Sequence, residues 1–98
     1  MARPVLAEAD VIAALSAEDG PAWHLIAGKL IKTVVCDDFV SALAFVGEVG
    51  RLAEEADHHP DIDIRYSKVT VRLSTHSEGG LTDLDFEVAE KIDTLVDE

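Results

Sequence analysis

The chain has 98 residues, of which 48% are apolar and 5% aromatic, enough for a single small domain spanning 1–98. Eight Lys and Arg stand against 20 Asp and Glu, a formal charge of −12. That balance argues against direct binding of nucleic acid, which needs a cationic surface, and against an anionic membrane surface. The single cysteine, Cys36, has no internal partner and lies in an apolar run, so it reads as a small core residue. Without a Cys-x-x-Cys pair, a zinc ribbon or a thioredoxin-type site has no support. No stretch approaches the ~18–20 apolar residues of a membrane span. The N-terminus also lacks a signal-peptide run, so the expected location is cytoplasmic.

Residues Ala7 to Ala17 are Ala-rich, with Val11, Ile12 and Leu15 at helical spacing, and predict a short first helix stopped by Asp19-Gly20-Pro21. Trp23 to Ala27 and Leu30 to Cys36 predict a hairpin turning at Gly28-Lys29. Asp37 or Asp38 is a good N-cap. From Phe39 the apolar positions Ala42, Leu43, Val46, Val49, Ala53 and Ala56 recur at three and four, predicting a helix to about Asp57. Pro60 disfavours helical dihedrals at His59, so this helix should end at the two histidines. Ile62, Ile64 and Tyr66 alternate with polar residues, as do Val69, Val71 and Leu73, giving a second hairpin through Ser67-Lys68. Thr82-x-x-Asp85 has the form of a capping box, with Asp85 as the reaching acid. Phe86, Ala89, Ile92, Leu95 and Val96 supply the apolar stripe of a last helix. The order αββαββα predicts an α+β fold: a four-stranded antiparallel sheet with helices packed on one face.

Three of the four histidines, His58, His59 and His76, fall at predicted element ends, where side chains can face a cleft. Histidine titrates near neutrality and can donate or accept a proton. Glu54 lies four residues before His58, so on an unbroken helix it could orient that imidazole. Ser74-Thr75-His76-Ser77 is dense in hydroxyls at a strand end and could hold a polar heterocycle. Two plainer readings compete. A histidine at a helix C-terminus is a common cap. Two or three histidines with a carboxylate could also hold zinc, but no His-x-x-x-His occurs. Ser74 and Ser77 lack the Gly-x-Ser-x-Gly elbow of a nucleophile, and no P-loop or Gly-x-Gly-x-x-Gly occurs.

Taken together, Glu54, His58-His59-Pro60, Tyr66, His76 and Asp85 carry a family pattern, supported by Trp23, by Ser74-Thr75-His76 and by Gly79-Gly80-Leu81-Thr82. The chain resembles the pterin-4a-carbinolamine dehydratases from Trp23 to the last helix. Its second strand departs from many members, with Lys32-Thr33-Val34-Val35-Cys36 in place of alternating aromatics. Ser77 stands where many have an acid or amide, and Asp61-Ile62 stands where aromatics often follow His-His-Pro. The resemblance implies the αββαββα fold and dehydration of 4a-hydroxytetrahydropterin to quinonoid dihydropterin, which recycles the cofactor of aromatic amino acid hydroxylation. It implies His58, His59, His76 and Glu54 as catalytic residues, with His58 and His76 the acid–base pair and His59 mainly holding substrate. Asp57, His58, His59, Pro60, Ser74, Thr75, His76, Ser77 and Asp85 are implied to bind the pterin. No metal or organic cofactor is expected, because loss of water needs only proton movement. A homodimer or homotetramer is implied. The family also contains dimerisation coactivators of a homeodomain transcription factor, so a non-catalytic interaction module is the alternative.

Overall fold

The computed structural model describes residues 5–7, 9, 11 and 23–96, with His76 described by its backbone alone. The helix expected over Ala7 to Ala17 lies outside the described residues, apart from Ala7, Ala9 and Val11. There the Val11 N–H donates to the Ala7 carbonyl at 3.1 Å, and the Val11 side chain is buried. The remaining elements are β1 (His24–Ile26), β2 (Lys29–Val35), α1 (Phe39–Ala56), β3 (Asp61–Arg65), β4 (Lys68–Leu73), a 3-10 turn (His76–Glu78) and α2 (Asp83–Val96).

The four strands form one antiparallel sheet in the order β1-β2-β4-β3. The α+β reading of the sequence therefore holds, including both hairpins. The first turn falls one residue earlier than expected, at Ala27-Gly28, with φ of 53° and 77°. Positive φ at both central residues suits the twist of a two-residue hairpin, and Gly28 supplies one of them without steric cost. The second turn is also earlier. Arg65 pairs with Lys68, so Tyr66 and Ser67 form the loop, and Tyr66 adopts φ 57° in the solvent instead of extending β3.

Side-chain alternation sorts the sheet into two faces. Leu30, Val69, Val71 and Leu73 point to the helices and are fully buried. Thr33, Val35 and Lys68, one residue out of phase, lie on the exposed face. Against the buried face pack Ala42, Val49 and Leu52 of α1 and Val88, Ala89 and Ile92 of α2. Leu52 takes the place expected of Leu43, which sits 100° round the helix from Ala42 and remains exposed. One cation breaks the apolar pattern. Lys32 faces inward and is buried, with its Nζ 2.5 Å from Asp93 Oδ1 of α2. That same oxygen accepts the Trp23 Nε1–H at 3.0 Å, and Nζ lies 5.7 Å from the Trp23 ring centre. Trp23 thus precedes β1 and ties the first hairpin to the last helix, where the sequence had suggested a strand residue.

Candidate active site

The end of α1 sets the position of His58. The Asp57 N–H donates to the Glu54 carbonyl at 3.2 Å and the His58 N–H to the Ala53 carbonyl at 3.0 Å. Asp57 is left-handed, with φ 51° and ψ 43°. This is a Schellman motif, in which the residue after the left-handed one folds back over the last turn. His58 is accordingly turned inward, with 9% of its surface exposed, while His59 points out. The helix stops at Ala56, so Glu54 and His58 do not share a helix face. Glu54 instead meets His59, with Oε2 2.5 Å from Nε2 in an exposed pair. The expectation that Glu54 orients His58 is therefore corrected: the αL residue between them breaks the i,i+4 geometry.

What orients His58 is the start of α2. The expected capping box is present: the Asp85 carboxylate accepts the Thr82 N–H at 2.9 Å, and Thr82 Oγ accepts the Leu84 N–H at 3.3 Å. A box built on Asp, one methylene shorter than Glu, leaves its carboxylate close to the helix end. There Oδ1 lies 2.6 Å from His58 Nε2, and Oδ2 accepts the Thr75 hydroxyl at 2.7 Å. Thr75 Oγ is in turn 2.8 Å from Thr82 Oγ. Asp85 and Thr82 are fully buried and Thr75 is 6% exposed. A carboxylate taken out of water is tolerated only when its oxygens are satisfied, and here both are.

Thr75 begins a tight loop. Its carbonyl accepts the N–H groups of Glu78, Gly79 and Gly80, and its own N–H donates to the Gly80 carbonyl. His76 is the next residue in this loop, so its backbone follows directly on a side chain that shares Asp85 with His58. Of the residues expected to bind substrate, Asp57, His59 and Ser77 are exposed, and Pro60 and Ser74 are half-buried. Thr75 and Asp85, also expected there, are buried with their polar atoms engaged behind His58. Tyr66 lies at the far end of β3 from His59, about 13 Å away along the strand rise alone. Thr82 was legible in the sequence only as a cap. Its part in the His58 network follows from the short acid at the third position of the box.

The family model described as pterin 4 alpha carbinolamine dehydratase matches residues 4–95. The chain belongs to this family. A curated relative from Herpetosiphon aurantiacus, provisionally named a pterin-4-alpha-carbinolamine dehydratase, is 47% identical over 92 residues, covering 94% of each chain. A relative of the same provisional name from Nocardia farcinica is 43% identical over 95 residues, 97% of this chain and 98% of that one. Among solved structures, a transcriptional coactivator/pterin dehydratase from Brucella melitensis superposes with a TM-score of 0.84 at 34% identity, covering 93% of this chain and 97% of its own. A pterin dehydratase-like protein described as a RuBisCO assembly factor of the alpha-carboxysome shares the fold, with a TM-score of 0.60 at 21% identity over 83% of this chain and 87% of that one. Among the described residues, no helix is long and apolar enough to cross a membrane.

Proposed function

We propose that the protein dehydrates a 4a-hydroxytetrahydropterin to the quinonoid dihydropterin, in the recycling of a pterin cofactor. The observation that carries this reading is the His58–Asp85 pair at 2.6 Å, set in a member of the pterin carbinolamine dehydratase family. In the reaction the C4a–O bond breaks, the hydroxyl leaves as water after gaining a proton, and a ring N–H gives up its proton as the C=N bond forms. One group must donate and another must accept. His58, held by a buried carboxylate, is one of the pair, and His76 on the neighbouring loop is the other. His59, steadied by Glu54, holds the substrate together with the polar atoms of Asp57, Ser74 and Ser77 and the ring of Pro60. General acid–base help of this kind is worth roughly 10²–10⁴-fold, enough for a carbinolamine already disposed to lose water. Proton movement needs no metal or organic cofactor.

A second reading, an interaction module, is favoured by one feature. Val35, Phe39, Val40 and Leu43 are exposed large apolar residues where β2 passes into α1. Oligomerisation through a surface of this kind is compatible with either reading. A thermal-shift titration with 7,8-dihydrobiopterin separates them. The enzyme reading predicts a melting temperature that climbs with ligand concentration, as binding to the native state requires. A flat titration for the wild-type protein contradicts it and favours the module.

A further inference from the structure

We propose that the Asp85 carboxylate, oriented by donors from Thr75 and Thr82, fixes the tautomer of His58, so that Nδ1 is the nitrogen presented to the substrate. The proposal rests on the reading of His58 as a proton-transfer residue and specifies which atom does the work. Each hydroxyl has one proton to give. Thr75 gives its proton to Asp85 Oδ2, so its contact with Thr82 Oγ must run the other way, from the Thr82 hydroxyl to Thr75. Asp85 Oδ2 also receives the Thr82 N–H. The carboxylate is thus surrounded by donors and acts only as an acceptor, and its free oxygen, Oδ1, draws the proton of His58 onto Nε2.

Among the described residues, Nδ1 of His58 has no hydrogen-bond partner, and no fully buried side-chain nitrogen is left unpaired. Nδ1 is therefore the open position. In the neutral ring it carries a lone pair, and it gains a proton when the ring is charged. Asp85, in contact with the far nitrogen, stabilises the charged ring without touching substrate. Thr75 and Thr82 are positioning residues at one further remove. The helix cap and the proton-transfer group are parts of one network, because Thr82 caps α2 with the same side chain that starts the chain of hydroxyls.

Asparagine at position 85 makes a sharp test. Two donors converge on the Oδ2 position, so the amide oxygen must sit there and the amide NH₂ must face His58. Nε2 then becomes an acceptor and the proton moves to Nδ1. The experiment is ¹H–¹⁵N correlation NMR of the histidine ring at a pH where His58 is neutral, on wild type, Asp85→Asn, Thr75→Val and Thr75→Ser. The expected result is protonation at Nε2 in wild type, Thr75→Ser and Thr75→Val, and at Nδ1 in Asp85→Asn. Should Asp85→Asn fail to fold, the wild-type and Thr75 spectra decide alone. A ring protonated at Nδ1 in wild type or in either Thr75 variant, or at Nε2 in Asp85→Asn, overturns the proposal. The spectra do not depend on turnover, so a protein without dehydratase activity leaves this result readable. Where the enzyme is active, Thr75→Val lowers kcat and shifts the pH profile with KM little changed, and Thr75→Ser restores both.

Discussion

Single residues at element ends decide this structure more than the regular elements do. Asp38 caps α1 by accepting the Ser41 N–H at 2.8 Å. That backbone bond, with the Ser41 side chain adding to it, holds the Asp38 carboxyl below the usual carboxylate range. Because the folded value is depressed, the cap's contribution is present above the unfolded pKa and is lost as pH falls through the folded one. Asparagine also caps helices but does not titrate. The melting-temperature advantage of wild type over Asp38→Asn should therefore be present at neutral pH and shrink toward zero in acid. A gap independent of pH contradicts this account of the cap. Asp57 acts at the other end of the same helix. Its left-handed backbone separates a buried His58 from an exposed His59. The histidine cluster was plain in the sequence. The division of labour within it was not, because a Schellman motif without glycine leaves no mark that distinguishes Asp57 from one more helical residue.

Elements were legible wherever the apolar period was clean. The alternation over Val69, Val71 and Leu73 and the three-four spacing of α1 both mark faces that are buried in the fold. The turns were less legible, since register and not composition decides which two residues form the loop. Lys32 was missed for a related reason: a lysine at a core-facing parity makes sense only once Asp93, 61 residues away, is seen beneath it. This pair predicts an asymmetry. Removing Asp93 leaves a buried ammonium without its counter-charge, a loss of up to about 3–5 kcal/mol. Replacing Lys32 by methionine keeps the packing and leaves Asp93, which is partly exposed, still bonded to Trp23. Denaturant unfolding should find Asp93→Ala much less stable than Lys32→Met. Equal losses contradict the view that Lys32 depends on Asp93.

At the scale of the whole molecule, charge and chemistry are arranged separately. Among the described residues, Lys29, Arg65, Lys68 and Arg72 share the parity of the open sheet face, and Glu48, Glu54, Glu55, Glu87 and Glu90 lie on the two helices. These helix carboxylates contribute to the total of −12, which favours solubility. Asp85, by contrast, is removed from solvent altogether. It joins the far end of α1, the loop after β4 and the first turn of α2, so the site exists only when all three are packed. The activity proposed for this assembly is dehydration of a pterin carbinolamine. Its most direct test is the rate at which synthetic 4a-hydroxytetrahydropterin loses water, followed as quinonoid dihydropterin appears, with wild type and with folded His58→Ala. Wild type should accelerate the reaction, and His58→Ala should lose about 10²–10⁴ of that acceleration. A wild-type rate equal to the uncatalysed one, or a His58→Ala rate equal to wild type, contradicts the proposal.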